Sequence, residues 1–360
     1  MSNLYKENIL LLLGISIKFV FLNIFLENIA IYNNKCYYIV SNFLGGFIMK
    51  IGNLEIEVPI IQGGMAIRAS MSRLAGAVAR EGGIGLIAGS AIGIEELKSE
   101  IIKAKEYMGE KAGAIGVNVM VAVSNFEEAV NASIDAGAEL IVCGAGFSKG
   151  VFKIGKERNV PIFPIVSSVK GAKLSERLGA TAIVVEGGNA GGHLGTDLDS
   201  WDIVKDIVDA VKIPVFGAGG VIEPEDAKRM LDLGAVGVQM GTRFIATDEC
   251  EVGDEFKEMY VNTQKGEVVE IASCAGLPAN AIISPFVDRL IAGTQERPTR
   301  CTQCLKKCTH TFCVNDKLVA GHNGDLESGV FFAGKDVWKI KDIISVKEVF
   351  KRFRPVFENR

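Results

Sequence analysis

The sequence predicts an α/β protein, a (β/α)8 TIM barrel with a C-terminal extension that carries a Cys cluster. Two observations carry that prediction. Apolar, β-branched runs of strand length alternate with amphipathic stretches of helix length eight times between Val58 and Val261, and apolar residues recur at helical spacing within the stretches, as at Ala227, Met230 and Leu231. Hydrophobic residues make up 48% of the chain and 41 residues are glycine, which suits strands buried on both faces and joined by tight turns. Eight successive units favour closure into a barrel, although an open doubly wound sheet has the same periodicity.

Taken in order, residues 1–48 stand apart. From Ile9 to Leu26 the run is apolar except for Ser16, Lys18 and Asn23. Read as a membrane or signal segment, it would place Lys18 near the bilayer centre at a cost of about 2.5 to 3.5 kcal/mol, and no small-residue cleavage site follows cleanly. Its Phe, Ile, Lys, Asn and Tyr content is that of translated A/T-rich DNA, and Leu44-Gly45-Gly46 can be encoded as TTA-GGA-GGT, a ribosome-binding sequence just ahead of Met49. The expectation is therefore a non-native leader over 1–48 and a biological start at Met49, with a membrane or signal segment as the alternative.

Residues 49–265 hold the eight units. The paired runs are Val58 to Ile61 with Met71 to Arg80, Ile84 to Ala88 with Glu95 to Met108, Ala114 to Met120 with Phe126 to Asp135, and Glu139 to Val142 with Gly150 to Arg158. They continue as Ile162 to Val166 with Gly171 to Leu178, Thr181 to Val185 with Trp201 to Val211, Val215-Phe216 with Glu225 to Leu233, and Gly237 to Met240 with Asp254 to Val261. Residues 266–360 break the pattern and read as a helical and irregular extension packed on the barrel. A formal net charge of −4 gives no basic field and excludes nucleic acid as a partner. Eight cysteines, unevenly spaced over 360 residues, do not form a disulfide framework, so a reducing cytoplasm is the expected location.

Chemistry in such folds gathers at the carboxyl ends of the strands. The sixth run ends in Glu186-Gly187-Gly188-Asn189-Ala190-Gly191-Gly192-His193-Leu194-Gly195, a turn rich in glycine with a single imidazole. A lone His among three in the chain is more often a hydrogen-bonded structural residue; its place at a strand end makes His193 the candidate catalyst. The loops after the seventh and eighth runs, Gly217-Ala218-Gly219-Gly220 and Gly241-Thr242-Arg243, expose backbone N–H groups near helix starts, one followed by Pro224, and suit a phosphate. Other strand ends carry neutral polar groups: Gln62-Gly63-Gly64-Met65, Asn118, Ser167-Ser168 and Glu186. An amide such as Asn118 suits the donor and acceptor edge of a flavin, the Met65 thioether its face, and the Glu186 carboxylate its ribityl hydroxyls; capping or core filling is the plain alternative for each. Neither a carboxylate dyad nor a G-x-S-x-G elbow is present, which counts against a hydrolase.

Five segments in order, Pro59 to Ala66, Gly116 to Met120, Glu186 to Gly195, Ala218 to Val221 and Gln239 to Phe244, together resemble the nitronate monooxygenase family, which includes the flavin-dependent enoyl-acyl-carrier-protein reductases. The resemblance spans about residues 50–295. It implies a barrel with bound FMN, His193 as the catalytic residue, and FMN contacts from Gly63, Gly64, Met65, Asn118, Glu186, Gly191, Gly192, Gly219, Gly220, Gln239, Met240, Gly241 and Thr242. Asn189 stands where family turns carry a second acidic residue, and the tail matches neither branch.

That tail holds Cys301, Cys304, Cys308 and Cys313, whose C-x2-C-x3-C-x4-C spacing matches no standard metal signature; free thiols and a zinc or iron–sulfur site both remain open, and no residue is assigned to a metal. The reading is an FMN-dependent nitronate monooxygenase that oxidises alkyl nitronates with O2 to carbonyl compounds and nitrite. The alternatives are an NAD(P)H-dependent enoyl-acyl-carrier-protein reductase and a flavin- or metal-holding redox sensor. A small-molecule substrate, nitronate or enoyl thioester, is the expected partner; a membrane is not, and assembly as a homodimer is compatible with the sequence.

Overall fold

The computed structural model describes residues 29–32, 35–41, 47–65, 67–110 and 113–358, the first two segments and Phe47 by backbone alone. Most of the proposed leader, including the apolar run from Ile9 to Leu26, lies outside the described residues. Among the described residues no helix is long and apolar enough to cross a membrane.

Four strands come first: β1 (Ile29–Tyr32), β2 (Lys35–Ser41), β3 (Phe47–Ile51) and β4 (Leu54–Ile56), paired antiparallel in that order. The turn between β3 and β4 runs through Gly52 at a φ of 62°, which a residue without Cβ adopts freely. Met49, Ile51, Leu54 and Ile56 are buried against Leu86, Phe163, Val184 and Phe216, so this hairpin plugs one end of the sheet that follows.

That sheet is closed. β5 (Ile60–Gln62), β6 (Ile84–Ala88), β7 (Ala114–Met120), β8 (Leu140–Gly144), β9 (Ile162–Val166) and β10 (Ile183–Glu186) pair in parallel, and β12 (Val215–Ala218) and β13 (Gly237–Met240) complete the ring back to β5. Closure decides between the barrel and the open sheet that the periodicity left open. The strands read as continuous apolar runs because both faces are covered: β6 and β8 are buried at every residue. Each of the eight expected runs forms a strand followed by a helix.

One helix does not sit where its order suggests. Asp254–Asn262 is helical as expected, but its Phe256 and Tyr260 face the cavity described below rather than the outer ring. The helix packed against both Ser72–Arg80 and Pro224–Asp232 is Val346–Glu358, which buries Val349, Phe350, Phe353 and Phe357. Residues from the far end of the chain thus close the ring of helices. The tail also contains strands that its composition did not announce: β14 (Val268–Ala272) and β15 (Pro278–Ile282) form a hairpin, and β15 pairs with the two-residue strand β11 (Gly192–His193).

Candidate active site

A cavity of about 240 Å³ opens at the carboxyl ends of the barrel strands. Every residue singled out from the sequence as catalytic or flavin-binding lines it. Gly63, Gly64 and Met65 follow β5, and Asn118 belongs to β7. Glu186 ends β10, and Gly191, Gly192 and His193 follow it. Gly219 and Gly220 follow β12, Gln239 and Met240 end β13, and Gly241 and Thr242 open the next turn.

Local contacts explain how the chain presents them. The buried Gln62 side chain donates to the carbonyl of Gly63 and to Ser70 Oγ at 2.8 Å, and accepts from Leu86 N at 3.2 Å, so it holds the β5 loop from below instead of lining the cavity. Gly64 has to be glycine, because a Cβ there would stand 2.3 Å from that of Asn118. Ser168 takes the capping role, accepting from Gly171 N at 3.2 Å, and neither it nor Ser167 reaches the cavity. Arg243 turns away as well, pairing with Asp342 at 2.9 Å and donating to the carbonyls of Ala246 and Asp342.

Asn189, the departure in the Gly-rich turn, has a structural task. Its Oδ1 accepts from Ser200 N at 3.0 Å and so caps the helix Ser200–Ala210, whose Ser200 Oγ donates to the Gly219 carbonyl at 2.9 Å. Its Nδ2 is buried with no partner among the described residues and lies by the glycine loop after β12. Gly219 and Gly220 adopt φ of 98° and 76°. A Cβ on Gly220 would meet Asn189 Nδ2 at 2.6 Å and the Trp201 ring at 2.8 Å. The sequence suggested room for phosphate as the reason for glycine there; backbone conformation and protein neighbours already require it. Gly241 is different, since a Cβ there meets only Met65, at 3.6 Å.

The tail supplies what the barrel lacks. Asn280 on β15 donates to the carbonyls of Gly188 and Ala190 at 2.9 and 2.7 Å, fixing the turn before His193. Gly334 N donates to Thr242 Oγ1 at 3.1 Å, and Lys335 N to the Asn189 carbonyl at 3.1 Å. Ser273, at the tip of the hairpin, is buried with its Oγ 2.7 Å from His193 Nε2. That Oγ already accepts from Ala275 N at 3.2 Å, and the imidazole is the acceptor at hand for its proton. With the hydroxyl donating to Nε2 the ring proton would sit on Nδ1, which makes no hydrogen bond among the described residues. Ser273 and Asn280 were missed in the sequence because their reach is across 80 residues or more; the β-branched stretch Val268-Val269-Glu270-Ile271 ahead of a Ser-Cys-Ala-Gly turn was the available signal.

Two titratable groups face the cavity in unusual states. Burial pushes His193 down to about 4, so the imidazole is neutral at pH 7 rather than titrating near it. Burial raises Glu186 to about 7, and this carboxyl has no polar partner among the described residues. Asp336 is the other acid at the cavity wall, beside Gly220 and 3.8 Å from Lys339. Among the described residues no Lys or Arg lines the cavity. Among the described residues, the arrangement can hold an anion through backbone N–H groups, amides, the hydroxyls of Ser90 and Thr242, and the His193 imidazole.

Comparison with known proteins gives the family and the fold. A dehydrogenase of Mycobacterium tuberculosis acting on (3aS,4S,5R,7aS)-5-hydroxy-7a-methyl-1-oxo-octahydro-1H-indene-4-carboxyl-CoA is 29% identical over 247 residues, 68% of either chain. A protein of Staphylococcus aureus described as a probable nitronate monooxygenase is 28% identical over 282 residues, 66% of this chain and 78% of its own. The structure of FabK from Thermotoga maritima superposes with a TM-score of 0.76 at 30% identity, covering 84% of this chain and 94% of FabK. A nitroalkane oxidase from Streptomyces ansochromogenes, at 20% identity and a TM-score of 0.72, shares the fold. The family described as nitronate monooxygenase matches residues 48–129 and 103–354, and the chain belongs to that family of oxidoreductases.

Proposed function

We propose that the protein is an FMN-dependent nitronate monooxygenase that takes its substrate as the nitronate anion. The observation that carries the reading is the state of His193: a neutral imidazole at the cavity wall with Nε2 2.7 Å from the Ser273 hydroxyl, which, donating to Nε2, would leave Nδ1–H as the donor for substrate. A base with its pKa depressed to about 4 has little driving force for removing a carbon-bound proton, whereas a fixed N–H is suited to the oxygens of an anion already formed.

The cavity fits FMN. Gln239, at the cavity wall, has its Oε1 buried and unpartnered among the described residues, and Gly241 leaves its side open. Gln239 and Asn118 would serve the polar edge of the ring, Met65 its face and Glu186 the ribityl hydroxyls. The N–H groups of the Gly219-Gly220 and Gly241-Thr242 turns, with the Thr242 hydroxyl, would take the phosphate, consistent with a wall free of Lys and Arg. When bound, FMN supplies the electron acceptor. The protein's own part is to orient the nitronate through His193, to keep that imidazole in one tautomer through Ser273, and to exclude bulk water with Phe256, Tyr260 and Phe332.

Thioester reduction is the second reading, favoured by the 29% identity to a dehydrogenase of a CoA-linked substrate. The same His193 donor would then meet a thioester carbonyl. The purified yellow protein, given ethylnitronate in air, is expected to release nitrite, and given NADH and crotonyl-CoA without oxygen, to leave both unconsumed. Crotonyl-CoA reduction without nitrite release overturns the first reading in favour of the second.

A further inference from the structure

Beside the active site the chain gathers cysteines that the reading above leaves unused. Cys301, Cys304, Cys308 and Cys313 line a second, small cavity of about 20 Å³ together with Cys274, which the sequence spacing did not include. Cys274 belongs to the turn of the β14–β15 hairpin, and its thiol lies close to those of Cys308 and Cys304 at the wall of this cavity. Three backbone bonds hold the loop there: Thr309 N to the Cys274 carbonyl at 2.9 Å, Ser124 N to the Cys304 carbonyl at 3.0 Å, and Lys306 N to the Ala122 carbonyl at 2.9 Å.

We propose that Cys274, Cys304 and Cys308, with Cys301 and Cys313 competing for the remaining position, hold a thiolate-bound metal centre, a zinc ion or an iron–sulfur cluster, next to the flavin cavity. The inference goes beyond the proposed activity and does not depend on it.

Two features besides proximity point to thiolate ligands. The same turn occurs twice: Gln303 N donates to Cys301 Sγ and His310 N to Cys308 Sγ, each at 3.4 Å, with Gln303 and His310 in the left-handed region at φ of 55° and 57°. Side chains other than glycine adopt that conformation at a cost, and what it delivers here is an N–H aimed at sulfur, a contact worth most to a charged thiolate. Between the helices Pro285–Ile291 and Val314–His322, the chain runs without a helix or a named strand; Leu305 makes an isolated bridge to Val123. A stretch that long in a compact domain needs a staple, and an ion bound by clustered thiolates is one.

As they stand, no three His, Cys, Asp or Glu side chains among the described residues are arranged to coordinate an ion. Binding must therefore draw the loop, in which Cys301 is exposed, inward around Cys274. Each ligating thiol gives its proton to solvent as the metal–sulfur bond forms. Position gives the centre a consequence: Cys274 follows Ser273, which anchors His193, and Leu305 and Val314 line both cavities. Metal loss would loosen the hairpin that orients the imidazole.

The test uses the full chain, purified anaerobically without chelator from cells supplied with zinc and from cells supplied with iron. Metal and acid-labile sulfide are measured per chain, and flavin is quantified separately by its fluorescence after release, so that the fate of the metal and that of the flavin reading are read independently. About one zinc per chain, or iron with matching sulfide and a broad visible shoulder, is expected, and the two outcomes distinguish ion from cluster. The double variant Cys304→Ser, Cys308→Ser should lose the metal and keep its flavin. Alkylation of the native wild type followed by mass spectrometry does not depend on that variant folding: the ligating cysteines should be protected until a chelator is added. Wild-type protein that stays metal-free in both preparations and after anaerobic incubation with Zn2+ or with ferric and ferrous iron and sulfide, or whose loop cysteines alkylate freely before and after chelation, overturns the proposal.

Discussion

The strand ends of the barrel and the segment from 266 to 358 build one site by opposite means. The barrel contributes the groups expected to touch ligand, which sit at the carboxyl ends of strands or in the turns that follow them, and the strands are placed by eight-fold repetition. The tail contributes mostly groups that hold those residues in place: Ser273 on His193, Asn280 on the turn before it, Gly334 on Thr242, and Asp342 on Arg243. Repetition makes the first set local in sequence, while the second set acts over distances of 80 to 99 residues. Changes on the barrel side should therefore remove ligand or chemistry outright, and changes on the tail side should leave ligand bound and chemistry misaligned.

The largest effect should come from Gly241→Asp. The added side chain meets little protein and sits at the first position of a short helix, where Asp is a good cap, so the thermal midpoint should hold within a degree or two. Its charge enters the expected phosphate position, and the protein should emerge colourless. A yellow Gly241→Asp protein would move the phosphate elsewhere and dissolve the contrast from the barrel side.

Ser273→Ala tests the tail side. Loss of one hydrogen bond to the imidazole, about 1 kcal/mol, should cost roughly 5- to 10-fold in kcat with ethylnitronate while flavin content and KM stay near wild type. Ser273→Thr, which keeps the hydroxyl, should recover most of it. A colourless Ser273→Ala protein would mean that the hairpin carries the cofactor site too.

The two perturbed groups in the cavity pull stability in opposite directions with pH. His193 is depressed to about 4 from 6.5, so the unfolded chain binds its proton first and stability drops as pH falls from 6.5 towards 4. Glu186 is raised to about 7 from 4.5, so the folded chain holds its proton and stability drops as pH rises from 4.5 to 7. Between 4.5 and 6.5 the slopes, each at most about 1.4 kcal/mol per pH unit, oppose each other. Glu186→Gln should unmask the His193 slope in denaturant titrations of flavin-free protein: more stable at pH 6.5 than at pH 4.5 by a larger margin than wild type. An unchanged pH profile would show that the carboxyl ionises normally.

The smallest effect concerns Asp336, a tail carboxylate beside the expected phosphate loop and partly balanced by Lys339 at 3.8 Å. Asp336→Asn should tighten flavin binding a few-fold at low salt, with the gain fading as salt screens it. Weaker binding in the variant would give Asp336 a ligand-holding role and blur the division between the two regions.

How much of this was legible follows from the same division. The period of the βα units left a barrel or an open sheet, the count of eight favoured the barrel, and the strand-end rule with the family resemblance pointed to Gly63, Asn118, Glu186, His193, Gly219 and Gln239, which the closed sheet brings around one cavity. Fold closure by Val346–Glu358 was not legible, because the amphipathic helix Asp254–Asn262 comes next in order and a pattern does not say which surface a helix covers. Ser273 and Asn280 were illegible for a related reason: β11 is two residues long, and a pairing so short leaves no period to detect. Nor could the sequence give the state of His193, which is set by the Ser273 hydroxyl, by Phe332 with its ring 5.6 Å away, and by burial that only the assembled cavity produces.

His193 as a fixed donor is tested most directly by kcat/KM for ethylnitronate in wild type, His193→Ala and His193→Asn. Removal of the donor in His193→Ala should cost about 10²-fold, the scale of a lost oxyanion donor, and the amide N–H of His193→Asn should restore much of that loss with flavin retained in both. Equal loss in the two variants would make the titratable nitrogen the working group and His193 an acid or base, and full activity in His193→Ala would remove it from the site.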